Sequence, residues 1–220
     1  MLDYQLTEEQ AMIRDLARTI ADNEIRPVAA EYDRSGEFPW PVVEKIAEAG
    51  LFGVFIDEAY GGLAGDSRTM NMVLVTEELS KACGGISLAF ASTALGALPI
   101  IVSASDEVKQ RFLPAIASGE RLAAFALTEP QAGSDAAGIR TTAVRDGDHY
   151  VVNGLKQWIT NGGDAEFYTV VVMSNPDKGA RGASALVIEK DTPGFSFGKK
   201  EDKMGIRASS TRELVFEDCR

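Results

Sequence analysis

The chain has 220 residues and a net charge of −11, from 33 acidic and 22 basic side chains. A surface this acidic repels phosphate backbones and anionic membranes, which argues against nucleic acid as a partner and leaves any polyanionic ligand to local backbone donors. Its two cysteines, Cys83 and Cys219, form neither a disulfide framework nor a zinc-ligand spacing, so no metal site is expected. The opening segment, MLDYQLTEEQ, is polar and acidic, unlike a secretory signal or a basic transit peptide, and the expected compartment is the cytoplasm. Thr7-Glu8-Glu9-Gln10 has a capping-box pattern, and Met12, Ile13, Leu16, Ala17 and Ile20 follow with helical spacing. Pro27 removes an amide donor and should end or kink that helix. Pro39-Trp40-Pro41 opens a second helix that Gly50 closes. The segment from Asp57 to Asp66, with Gly61, Gly62 and Gly65, reads as a loop, and a third helix runs from about Ser67 to Ala82.

From Ala82 to Ser105 there is no charged residue, a length that would cross a bilayer. Gly84, Gly85, Gly96 and Pro99, with many Ala and Ser, point instead to a fully buried helix and to no stable membrane insertion. Such a helix needs neighbours on all sides, so the helical domain must be substantial. Ser105 caps a fifth helix that stops near Gly119.

Beyond Arg121 the period changes to two. Leu122–Leu127, Thr141–Arg145, Tyr150–Asn153, Tyr168–Met173, Ala183–Ile188 and Glu213–Phe216 are short runs rich in β-branched and aromatic residues. Asp146-Gly147-Asp148 and Asn175-Pro176-Asp177 are among the turns between them. The expected class is α+β: an all-helical domain over residues 1–121, then an antiparallel β-barrel or sandwich over residues 122–220.

Two stretches of the β part can carry chemistry. In the first, Ala124-Phe125-Ala126-Leu127-Thr128-Glu129-Pro130-Gln131-Ala132-Gly133-Ser134-Asp135, a strand runs into a Gly/Ser loop. Gly133 lets backbone approach a ligand, and successive amides there can cradle a pyrophosphate. Taken alone, its composition fits an ordinary surface turn better. In the second, Lys156-Gln157-Trp158-Ile159-Thr160-Asn161-Gly162-Gly163, a tryptophan beside a hydroxyl offers a flat apolar wall and one hydrogen bond, which suits an aromatic heterocycle. Taken alone, that piece fits a core tryptophan before a hairpin turn better.

Together, Ala126–Gly138 resembles the first signature of the acyl-CoA dehydrogenase family, and Trp158-Ile159-Thr160 resembles that family's flavin-contact triplet. Tyr60-Gly61-Gly62, Asn153-Gly154, Lys203-Met204-Gly205 and Phe216-Glu217-Asp218 extend the resemblance along the whole chain. It implies a helical amino-terminal domain, a β-barrel middle domain and a carboxy-terminal helical bundle, with FAD between domains and across subunits of a homo-oligomer, dimer or tetramer. Carried over by position, Phe125, Ala126, Leu127 and Thr128 would meet the pyrimidine edge of the flavin, while Gly133 and Ser134 would lie along the pyrophosphate and pantetheine, with Ser134 touching substrate as well. Trp158 and Ile159 would flank the ring, and Thr160 would hydrogen-bond at N5. The implied reaction is α,β-dehydrogenation of an acyl-CoA, of short or medium chain, with electrons passed to an electron-transfer flavoprotein. An acyl-CoA oxidase, or a non-catalytic flavin-binding subunit completed by a partner chain, are the alternatives.

The resemblance stops at Arg220. The bundle that carries the family's catalytic glutamate lies outside these 220 residues, whether the chain is a fragment or a short subunit. Glu129 sits in the first motif, where the resemblance implies a structural role, and His149 falls in a predicted hairpin. No catalytic residue is therefore assigned, and the isolated chain is expected to be inactive.

Overall fold

The computed structural model describes residues 5–220. Six α-helices come first: α1 (Glu8–Ile20), α2 (Ala29–Ser35), α3 (Trp40–Glu48), α4 (Arg68–Ala82), α5 (Gly84–Ser103) and α6 (Asp106–Ala117). Seven strands follow: β1 (Ala123–Ala126), β2 (Thr142–Asp146), β3 (His149–Thr160), β4 (Phe167–Met173), β5 (Ala183–Glu189), β6 (Phe195–Lys200) and β7 (Thr211–Cys219).

The capping box is formed as its pattern requires. Thr7 accepts from the Gln10 amide, and the Gln10 side chain accepts from the Thr7 amide. The first helix does not stop at Ile20, because a π-helical turn, Ala21–Ile25, carries it on and buries Ala21 and Ile25. Pro27 then lies in the turn before α2. The glycine-rich segment after Asp57 is a loop with two short 3₁₀ turns, Glu58–Tyr60 and Gly65–Ser67.

Helix α5 is long and apolar enough to cross a membrane by length and composition, yet two-thirds of it is buried within the fold. It packs on α4, α6 and β1. Gly96 is the point of closest approach. A Cβ built there would lie 2.8 Å from the Ala124 nitrogen and 2.9 Å from the Ala123 Cβ. Gly96→Ala gains about 1 kcal/mol of helix propensity, but overpacking costs about 1–3 kcal/mol. The obstructing atoms include β1 backbone, which cannot rotate away, so the upper part of that range applies. A net loss of about 1–2 kcal/mol is expected by denaturant titration, and an unchanged midpoint would show that the contact yields.

One hydrophobic core runs through both halves. On the helical side Phe90 meets Phe52 and Phe55, and on the sheet side Phe195 meets Tyr168 and Phe216. Phe112 of α6 lies edge-on to Phe167 of β4 with ring centres 5.0 Å apart, which joins the two.

The sheet order is β1-β4-β2-β3-β7-β6, with β5 also on β4. The β2–β3, β3–β7, β4–β5 and β6–β7 pairs are antiparallel, as expected for hairpin-built β structure. The purely antiparallel expectation needs correction, however. β1 runs parallel to β4, and β2 meets β4 through a parallel Thr142–Met173 pair, so the sheet is mixed. Parallel neighbours need a long crossover. Here β2 and β3 lie in the chain between β1 and β4 and supply it. The pattern also gave no warning of β6, an edge strand.

Candidate functional site

Strand β1 splits its side chains between two faces. Ala124 and Ala126 are fully buried in the common core. Phe125, with Leu127 continuing the alternation, faces a cleft between α5 and the ends of β1 and β3. The cleft holds about 330 Å³ and is lined by Leu88, Ala91, Ser92 and Leu95 of α5, by Phe125, Leu127 and Thr128, and by Trp158, Ile159 and Thr160. That volume is at the low end of small-molecule sites, which span about 300–1,000 Å³.

Trp158 owes its place to a bulge. Between Lys156 and Ile159 the β3–β7 register slips by one residue, and Trp158 takes a left-handed φ of 60°. For a bulky residue that conformation is strained, costing about 1–3 kcal/mol. It leaves Trp158 58% exposed, although tryptophan is an obvious core residue. The hydroxyls of Thr128 and Thr160, on the same cleft, accept and donate no hydrogen bond among the described residues; the Thr128 carbonyl accepts from the Gln157 amide and the Thr160 carbonyl from Ser92 Oγ.

Behind the wall lies a buried ion pair. Lys156 Nζ sits 2.7 Å from Glu129 Oε1 and donates to the Leu127 carbonyl at 2.9 Å. Glu129 also accepts from the amides of Arg140 and Thr141, at 2.6 and 3.0 Å, and from Gln131 Nε2 at 2.6 Å. Burial pushes the Glu129 carboxyl upward, but Lys156 with the Arg140 and Thr141 donors outweighs it and holds its pKa at about 2. Burial pulls the Lys156 ammonium below the usual lysine range against the attraction of Glu129. The pair thus fixes the end of β1 and the start of the Pro130–Gly138 loop to β3.

Six of the nine residues expected at the site meet in the cleft: Phe125, Leu127, Thr128, Trp158, Ile159 and Thr160. Ala126 faces the core. Gly133 and Ser134 lie on the exposed loop outside the cleft, where a Cβ on Gly133 would meet nothing within 4 Å. His149 pairs with Asp146 at the far end of β3, across a two-residue turn at Gly147-Asp148. Two other quoted pieces come together: Asn153 Nδ2 donates to Asp218 Oδ1 at 3.1 Å, and the Asp218 amide donates back at 2.8 Å.

Sequence reasoning missed what supports the wall. Lys156 gave no sign of burial, since its partner is 27 positions away. Four buried side-chain polar atoms lack a partner among the described residues, and three belong to Asn161, Ser210 and Arg212. These three residues lie beside Ile159 and Thr160, as the Ile159–Arg212 and Thr160–Thr211 pairs and the bond from the Asn161 amide to Ser210 show. Buried orphan polar atoms are rare, and a cluster of them marks a place of special use. With the exposed indole, the two free hydroxyls and apolar walls, the residues fit a flat heterocycle with polar edges.

Residues 7–120 match the family described as Acyl-CoA dehydrogenase, N-terminal domain, and residues 124–219 match Acyl-CoA dehydrogenase, middle domain. A short-chain-specific acyl-CoA dehydrogenase of Clostridium acetobutylicum is 46% identical over 99% of this chain and 57% of its own length. Butyryl-CoA dehydrogenase from Megasphaera elsdenii superposes with a TM-score of 0.94 at 38% identity, covering 99% of this chain and 58% of that one. A chain from a structure of the electron transferring flavoprotein of Acidaminococcus fermentans gives 0.95 at 42%, over 99% of this chain and 57% of its own. A Bacillus anthracis acyl-CoA dehydrogenase complexed with FAD gives 0.87 at 35%, over all of this chain and 37% of its own. The chain spans little more than half the length of the first three. With both domain matches and this core architecture, the chain belongs to the acyl-CoA dehydrogenase family of flavoprotein oxidoreductases.

Proposed function

We propose that this chain is the flavin-holding part of an enzyme that dehydrogenates short-chain acyl-CoA thioesters and passes the electrons to an electron-transfer flavoprotein. The observation that carries the reading is the strained bulge that holds Trp158 out of the sheet and against the cleft, beside free hydroxyls on Thr128 and Thr160. The relatives support the substrate class, one being short-chain specific and another a butyryl-CoA dehydrogenase. FAD, when bound, supplies the hydride acceptor.

The chain's own residues have three tasks there. Trp158, Phe125 and Leu127 provide apolar walls that exclude water and strengthen the polar contacts made inside. Thr128 and Thr160 orient the edge of the heterocycle through their hydroxyls. The Glu129–Lys156 pair holds the strand ends that carry both, and so keeps the geometry preorganised.

Trp158→Ala removes the wall while keeping a residue with a Cβ at the same φ, so the turn does not gain the freedom that glycine would give it. Burial of that surface against a ring is worth about 1.5–3 kcal/mol, roughly a ten- to hundredfold loss in FAD affinity. Flavin retention after dialysis, read from visible absorbance, is the measurement. Equal retention in parent and variant would remove Trp158 from the site.

A further inference from the structure

Directly after Thr160 the chain turns left-handed at Asn161, with φ of 62°. Asparagine adopts that conformation more readily than most residues. A turn alone would be served equally by glycine. This side chain is instead completely buried and works as a connector. Its Nδ2 lies 3.3 Å from the Ala89 carbonyl, 3.3 Å from Thr93 Oγ1 and 3.2 Å from the Ala123 carbonyl. Thr93 Oγ1 in turn donates to the Ala89 carbonyl at 2.7 Å and accepts from the Ala123 amide at 3.4 Å. One position along α5, Ser92 Oγ donates to the Thr160 carbonyl at 3.3 Å.

This network joins the three elements that form the cleft. Leu88, Ala91 and Leu95 stand on α5, Phe125 and Leu127 on and just after β1, and Trp158 and Thr160 on β3. Asn161 touches α5 at Ala89 and Thr93, touches β1 at Ala123, and is the residue next to Thr160. Its own amide donates to Ser210 at 3.1 Å, just before β7. Asn161 therefore ties the helix and β1 to the strand that carries the tryptophan wall. In this network the Asn161 amide nitrogen and the Thr93 hydroxyl are partnered, while Asn161 Oδ1 has no partner among the described residues; removing a member of a buried polar network loosens the geometry it holds.

We infer that Asn161, with Thr93 as its partner on the helix, is a positioning residue that sets the width of the flavin cleft between α5 and the Trp158–Thr160 wall. The ligand in this inference rests on the flavin reading above, whereas the clamp belongs to the ligand-free chain.

The test uses Trp158 as its own reporter. The chain has two tryptophans, so Trp40→Phe leaves Trp158 alone. In that background Asn161→Gly keeps the left-handed turn and deletes only the amide. Thr93→Val removes the hydroxyl at nearly constant volume, and Thr93→Ser restores it. Acrylamide quenching of Trp158 and titration with FAD are measured below the melting temperature of each variant. Asn161→Gly and Thr93→Val should both change Trp158 quenching and weaken FAD by about tenfold, with a shifted visible flavin spectrum, while Thr93→Ser behaves as the parent. A lowered melting temperature with unchanged quenching and unchanged FAD affinity would reduce the network to a structural staple and overturn the proposal. So would a Thr93→Ser variant as impaired as Thr93→Val. If the parent itself binds no FAD, the flavin reading fails, and Trp158 quenching alone decides the clamp.

Discussion

Lys156→Met should be among the most damaging single substitutions in this chain, lowering stability by about 3–5 kcal/mol, because it strands a buried carboxylate. The side chains of Lys156 and Glu129 are 0% and 2% exposed, so water cannot replace the lost ammonium. The amides of Arg140 and Thr141 remain on Glu129, but the Leu127 carbonyl also loses its donor. Adding Glu129→Gln removes the stranded charge and should recover most of the loss. Denaturant midpoints of the two single variants, the double variant and the parent form the cycle. A Lys156→Met chain within 1 kcal/mol of its parent, roughly, would show that the pair carries little.

The same pair predicts a pH dependence of definite sign. The folded pKa of Glu129, about 2, lies below its ordinary 4.5, so the unfolded chain takes up this proton first on acidification. The stabilisation is complete above about 4.5 and is lost as pH falls towards 2. Glu129→Gln should flatten the acid limb of the stability curve.

The parts of this molecule legible in its sequence are those set by local pattern. Thr7 and Gln10 cap α1 because the two residues are three apart, and α5 is buried because no charge interrupts it. The β2–β3 hairpin follows from Asp146-Gly147-Asp148, where Gly147 takes a φ of 62°. Failures come where a distant partner decides. Phe195-Ser196-Phe197 alternates properly, but Gly198 and two lysines hid β6, whose charges suit an exposed edge. Helix α2 has seven residues and buries none of them completely, so no apolar stripe announced it.

The site follows the same division. The motif Trp158-Ile159-Thr160 was visible as chemistry, yet nothing local reveals that Trp158 would leave the sheet. The bulge exists because β7 pairs with Lys156 at Leu214 and with Ile159 at Arg212, a register set more than 50 residues away. Nothing local marks Lys156 as buried until the fold places Glu129 beside it. Asn161 resembles a turn residue, and its amide finds Ala89 and Ala123 only once α5 packs on β1.

The second large effect concerns catalysis: the 220-residue chain purified alone should not oxidise an acyl-CoA. Removal of the α-proton needs a base at the substrate, and no titratable side chain lines the cleft. Glu129 is not available, since Lys156, two amides and Gln131 occupy it, and against its burial Lys156 with the Arg140 and Thr141 donors holds its pKa at about 2. His149 opens β3 and Thr160 closes it, which at about 3.3 Å per residue places them roughly 35 Å apart. General-base catalysis is worth about 10²–10⁴-fold, and that factor should be missing here however well FAD is held. The measurement is anaerobic: flavin absorbance is recorded after gel filtration, then butyryl-CoA is added and bleaching is followed in a stopped-flow instrument. Retained flavin without bleaching is the expected result. Prompt bleaching by these 220 residues would mean that a base reaches the cleft from this half, and the assignment of the chain as flavin-holding alone would fall.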